Sequence, residues 1–174
     1  MKNSKSSYVV RAQRFIQQIY DYIADCTTPE EFCDAIDMFN KENHRKVDVS
    51  WGATRIALIT SDYVIKIDYD RVEIQEWGGC ADEYHFYQYA QKCGYEYLFA
   101  AIEPYEYGDK TFYIMPRIYG VGHMRGYATD YLSYDEYIFV SDHVKDLHEN
   151  NFGIKNKHVI IIDYAAAAWP RLYF

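Results

Sequence analysis

Three side chains near the end of this 174-residue chain are of types that handle metal ions or protons. They are Asp146, Asn151 and Asp163, within the run VKDLHENNFGIKNKHVIIIDYA that spans residues 144–165. A carboxylate can accept a proton, and Asn and Asp oxygens are hard ligands suited to a hard cation. Between Asn151 and Asp163, His158 to Ile162 reads as one short buried strand, because Val159-Ile160-Ile161-Ile162 is a β-branched run with polar neighbours. A strand ending in Asp sets that carboxylate at a sheet edge. The preceding loop then presents Asp146 and Asn151 towards the same space. The competing reading is a turn rich in Asp and Asn, residues that favour turns for backbone reasons.

A lysine and a glutamate upstream belong to the same argument. Lys66 lies in Tyr63-Val64-Ile65-Lys66-Ile67-Asp68, where strand alternation puts it on one sheet face with Val64 and Asp68, and Ile65 with Ile67 on the other. A solvent-facing strand lysine is the plain alternative. Glu83 sits early in a helix predicted from Ala81 to Lys92, where an acidic residue also suits the helix N-terminal dipole. Glu76 and Asp82 are rival carboxylates.

The elements that must position these residues follow from periodicity and punctuation. Tyr8, Ala12, Phe15, Ile19, Tyr22 and Ile23 recur at helical steps. A second helix opens with Thr28 as N-cap, Pro29 at the first turn and Glu31 completing a capping box. Its apolar face is Phe32, Cys33, Ile36 and Phe39, ending near Asn40. After a polar link over 41–46, three antiparallel strands are predicted at Val47 to Ser50, Arg55 to Thr60 and Tyr63 to Asp68. Gly94 closes the helix that carries Glu83. Strands from Tyr97 to Glu103 and Thr111 to Ile118 come next, then a glycine-containing loop. A helix from Tyr131 to Val144 follows, with Tyr134 and Ile138 on one face.

Composition narrows the function classes. Hydrophobic residues make up 49%, enough for a folded domain. The 26 acidic residues outnumber 18 Lys and Arg, giving a net charge of -8. That balance argues against direct nucleic-acid binding and leaves room for a nucleotide. The 20 tyrosines suit half-buried surface or an interface. Cys26, Cys33, Cys80 and Cys93 show no metal-ligand spacing, and the start has no apolar signal core, so a cytoplasmic protein with reduced thiols is expected. No run approaches a membrane span.

Taken in order, these elements resemble the protein-kinase-like fold. Asp146-Leu147-His148 is similar to the catalytic loop of aminoglycoside-phosphotransferase-type and other atypical kinases. Val64-Ile65-Lys66 is similar to that fold's V-A-I-K strand. The resemblance covers Val47 to Tyr164. It implies an α+β protein with a five-stranded antiparallel N-lobe sheet, one inserted helix, an N-terminal helix pair and a strongly truncated helical C-lobe. The corresponding divisions are residues 1–46, 47–118 and 119–174.

The resemblance also implies ATP and Mg²⁺ as cofactors. Asp146 would take the acceptor's proton, while Asn151 and Asp163 hold the metal. Lys66 would contact the phosphates and pair with Glu83. The first hairpin turn, with Ser50, Gly52 and Thr54, would cover the phosphates, and the backbone near Met115 would meet the adenine. Three departures stand beside these matches. Val144 replaces a histidine, Tyr164-Ala165 replaces Phe-Gly, and only eleven residues follow Asp163.

Three functions are compatible with these residues. The first is a minimal phosphotransferase with a protein partner or substrate, similar to kinase-like proteins of phages. The second is an inactive kinase-fold protein that inhibits a host enzyme or defence system by binding. The third is an acidic DNA mimic.

Overall fold

In the computed structural model, residues 6–52, 54–68, 78–120, 131–145, 151–156 and 158–164 are described. The first helix, α1 (Ser7–Ile23), buries Ala12, Phe15, Ile19 and Ile23 as the spacing predicts, together with Val9 and Ile16, while Tyr8 and Tyr22 are half-buried beside them. In α2 (Pro29–Asn43) the capping box forms as expected. Glu31 N–H donates to Thr28 Oγ1 at 3.3 Å, and the Glu31 carboxylate accepts from Thr28 N–H at 3.0 Å. The helix runs one turn beyond the expected end and stops at His44, whose φ of 50° is left-handed.

Both helices cover one face of a five-stranded antiparallel sheet in the order β1-β2-β3-β5-β4. Its strands are β1 (Asp48–Trp51), β2 (Arg55–Ile59), β3 (Tyr63–Asp68), β4 (Glu103–Tyr107) and β5 (Lys110–Pro116). Alternation sends Ile56, Leu58, Ile65, Ile67, Phe112 and Ile114 into the core shared with α1 and α2. The β4–β5 turn needs its glycine. Gly108 has a φ of 63°, and an added Cβ would collide with the phenol of Tyr20, which donates to Asp109 at 2.7 Å.

One expected strand is corrected. Glu96–Leu98 forms a 3₁₀ turn, and β4 begins only at Glu103. Leu98, Phe99 and Ala100 are buried in succession, without the alternation of a half-exposed strand. The Ala100 amide is instead used by the carbonyl of Ile161 at 2.8 Å.

Chain contacts divide the protein into two units. One holds the described residues up to Cys80 with Ile102–Arg117; the other holds Ala81–Ala101 and the described residues from Ile118 onward. The second unit contains most of α3 (Cys80–Cys93), the helix α4 (Tyr134–His143), and a sheet ordered β6-β7-β8. These strands are β6 (Tyr119–Gly120), β7 (Phe152–Lys155) and β8 (His158–Ile161). The helix α3 ends as predicted at Gly94, whose φ is 78°. The expected helix from Tyr131 begins later, because Ser133 and Glu136 form a second capping box. Its buried residues are Phe139 and Val140, and the face with Tyr134 and Ile138 is exposed. Among the described residues, no helix is long and apolar enough to cross a membrane. The architecture is α+β, with four α-helices among the described residues.

Candidate functional site

Pairing register explains how the first unit collects its candidate residues. Ser50 pairs with Ala57, Ala57 with Lys66, and Lys66 with Tyr113, a row across four strands. Residues in such a row share one face, so Ser50 and Lys66 lie together on the face opposite α1 and α2. Met115 lies two residues beyond Tyr113 and shares that face. Lys66 is only 6% exposed, so the solvent-facing alternative does not hold. A buried ammonium is costly unless charge or hydrogen bonds offset it, which makes its position specific.

The turn residues behave differently from one another. Thr54 is buried, and its hydroxyl donates to the Gly78 carbonyl at 3.2 Å, tying the first hairpin to the stretch before α3. The Gly52 N–H donates to the Arg55 carbonyl at 3.0 Å, which already occupies the amide that a phosphate would use. A Cβ on Gly52 would meet nothing within 4 Å, so packing does not demand glycine there.

Asp68, two residues after Lys66, has a role that sequence reading did not assign. Both its oxygens accept from Cys80 N–H, at 2.8 and 3.1 Å, capping α3 from outside the helix. A Cβ at Gly79 would stand 2.9 Å from Asp68 Oδ2, so a larger residue would push this carboxylate aside. The Gly78-Gly79 pair before a helix was the available signal.

In the second unit, Glu83 is fully buried, whereas its rival Asp82 is half-buried and Glu76 lies outside the described residues. Glu83 Oε1 accepts from the backbone N–H of Tyr164 at 3.1 Å. The Tyr164 hydroxyl donates to the Ala100 carbonyl at 2.7 Å, and its ring sits 5.1 Å from Phe99 and 5.9 Å from Phe86. The departure from Phe-Gly after Asp163 is therefore a tightly anchored tyrosine. Its polar tip finds a partner inside an aromatic cluster.

The stretch between Asn151 and Asp163 holds two strands, which corrects the expected single strand. Phe152 pairs with Ile161 and Lys155 with His158, and the hairpin turns at Asn156, whose φ is 53°. One step outside that register, the Asn151 carbonyl accepts from Ile162 N–H at 2.8 Å. Asn151 and Asp163 therefore occupy the same end of the hairpin, Asn151 buried and Asp163 half-buried. Asp146 lies outside the described residues.

These two residues offer oxygen donors of the hard type that Mg²⁺ prefers. Among the described residues, no group of three or more His, Cys, Asp and Glu side chains could hold a metal. A sparse protein donor set still fits Mg²⁺, which commonly keeps waters and takes its remaining oxygens from a phosphate ligand. The sequence matches no protein-family model and no curated protein.

Proposed function

We propose that the chain is a minimal kinase-like phosphotransferase that uses ATP and Mg²⁺. The observation that carries this reading is the β7–β8 register, with Asn151 and Asp163 at one end of the hairpin. The buried Lys66 supports it from the first unit. In this reading Lys66 contacts the nucleotide phosphates, and Ser50 and Met115 share its face of the sheet. Asn151 and Asp163 hold the metal, which neutralises phosphate charge when bound. Asp146 accepts the proton of the acceptor hydroxyl. Glu83 positions the backbone directly after Asp163 through Tyr164. Phosphoryl transfer depends mainly on positioning and charge neutralisation, so few side chains can suffice.

The test is transfer of label from γ-labelled ATP, wild type against Asp146→Asn. Loss of transfer with retained nucleotide binding supports the proposal. Equal turnover by the variant removes Asp146 from the mechanism.

A second reading has its own observation. On α4, Tyr134, Tyr137 and Ile138 are exposed at 77%, 43% and 38%, at spacings that share a helix face. Such an aromatic face suits a protein partner. An inactive kinase-fold protein, of phage origin and acting by occupying a host enzyme or defence component, would use it. Under that reading, partner inhibition survives Asp146→Asn and fails in Tyr134→Ala/Tyr137→Ala.

A further inference from the structure

Beside the helix-covered face of the first sheet, α1, the α2–β1 connection and the β2–β3 turn border an open cavity of about 440 Å³. Arg11 and Arg14 line it from α1, one helical turn apart, and Arg45 and Lys46 from the connection. Against these four cations stands a single carboxylate of the lining, Asp62, which accepts from Arg11 Nε at 2.8 Å and also from its Nη2. Among the described residues, no carboxylate forms an ion pair with Arg14, Arg45 or Lys46. Such a concentration is unexpected in a chain of net charge -8, since clustered cations repel one another until an anion arrives.

The backbone beneath these cations is held in place. The Asn40 side chain clamps Val47 from both sides, accepting its N–H and donating to its carbonyl, each at 2.9 Å. Arg45 N–H donates to the Asn40 carbonyl at 3.1 Å. Across the cavity, Arg117 fixes the turn by donating from its N–H to the Asp62 carbonyl at 3.0 Å and from Nη1 to the Thr60 carbonyl at 2.6 Å. A preorganised site loses less on binding than one that must first be ordered.

We propose that this cavity binds a small phosphate-dense anion, a polyphosphate or a multiply phosphorylated metabolite. Its volume lies in the range of small-molecule sites. Guanidinium forks match phosphate oxygens in pairs. The acidic balance of the rest of the chain disfavours a long nucleic-acid duplex over a compact ligand. The site is independent of the nucleotide reading above, because Lys66 lies on the opposite face of the sheet.

The probe is inorganic tripolyphosphate, titrated calorimetrically into the full chain without magnesium at low ionic strength. Binding that weakens with salt is expected. Arg14→Glu/Arg45→Glu should weaken it by about tenfold or more, through the loss of charge-assisted contacts. Asp62→Asn should tighten it, by releasing Arg11. In a Lys66→Met background the arginine substitutions should weaken binding by the same factor, which separates this site from the proposed nucleotide site. If charge reversal disturbs the circular dichroism spectrum, Arg14→Gln/Arg45→Gln carries the same expectation. Tripolyphosphate binding that is absent, or indifferent to Arg14 and Arg45, overturns the proposal. So does tighter binding of a short DNA duplex through the same arginines, which would assign a nucleic-acid surface.

Discussion

Glu83 Oε1 and the backbone N–H of Tyr164 meet at 3.1 Å across 81 residues of sequence. The bond joins the first turn of α3 to the residue directly after Asp163. Glu83 is fully buried and Tyr164 is 1% exposed, so water cannot replace either partner cheaply. Tyr164 is held at its other end too, through its hydroxyl and the Ala100 carbonyl. The backbone directly after Asp163 is thereby fixed at two points.

Tyr164→Phe should therefore destabilise the protein by about 1–3 kcal/mol, the cost of leaving a buried carbonyl unsatisfied. Glu83→Ala should cost at least as much, because it leaves the buried Tyr164 N–H without its acceptor. Urea unfolding of the two variants checks the order. A Tyr164→Phe variant as stable as wild type would mean the hydroxyl bond contributes nothing.

Removing the ring at the centre of the aromatic cluster should cost more. Phe86 is fully buried on α3, with ring centroids at 5.1 Å from Phe99, 5.9 Å from Tyr164 and 6.4 Å from Phe139. Phe86→Ala should lose about 3–5 kcal/mol through lost burial and an unfilled cavity. Phe86→Leu should recover part of that loss. Denaturant midpoints for the pair distinguish packing from any more specific ring effect.

What was legible in the sequence divides along physical lines. The helices α1 and α2 declared themselves through a stripe of apolar residues and the Thr28–Glu31 box, both of which act within one element. The first three strands were equally plain, since short apolar runs stand between turn residues such as Ser61-Asp62. Tertiary pairing was the hidden part. Phe152–Lys155 became a strand because His158–Ile161 folds back on it, and its glycine and short length gave no periodic signal. The Glu96–Leu98 turn was masked by the strand-forming character of Tyr97 and Phe99. In α4, Tyr134 and Ile138 kept helical spacing while Phe139 and Val140 took the buried side, and the Ser133–Glu136 box would have fixed its start. The backbone amides that donate to Glu83 and Asp68 were invisible, because folding alone brings them close.

The two capping boxes make stability fall in acid. Backbone N–H bonds from Thr27 and Thr28 hold the Glu31 carboxyl below its ordinary range, and the Ser133 N–H does the same for Glu136. A carboxyl lowered on folding contributes stability above its unfolded value, near pH 4.3, and loses it as pH falls through the folded value. Melting temperature should therefore drop as pH is lowered from about 5 through that window. Glu31→Gln/Glu136→Gln should melt lower at neutral pH and show a flatter acid limb. An acid limb as steep as that of wild type would place the sensitivity in other carboxylates.

Lys66 offers a separate test of the nucleotide reading. It is buried on the central strand, on the face opposite α1 and α2, so Lys66→Met keeps the unbranched apolar stem and removes the charge. Under the proposed function, the melting shift produced by ATP and Mg²⁺ in wild type should shrink in this variant. At a ligand concentration of 100 times Kd, the wild-type gain is about 2.7 kcal/mol, well within calorimetric reach. An undiminished shift would locate the nucleotide elsewhere.

The metal roles can be tested at Asp163 and Asn151. Asp163 is flanked by two backbone anchors: Ile162 N–H to the Asn151 carbonyl, and Tyr164 N–H to Glu83. Asp163→Asn is nearly isosteric, keeps a side-chain oxygen and removes a charge from the proposed Mg²⁺ ligand set. ATP alone should then shift the melting temperature of wild type and variant alike. Added Mg²⁺ should increase the shift in wild type only, because a neutral amide is a weaker ligand for a hard cation. Asn151→Ala should reduce the same magnesium increment. It should also lower stability in the absence of ligand, since Asn151 is buried at the start of β7. A magnesium increment that is undiminished in Asp163→Asn would remove this residue from the proposed metal site and leave the β7–β8 register without a role in nucleotide binding.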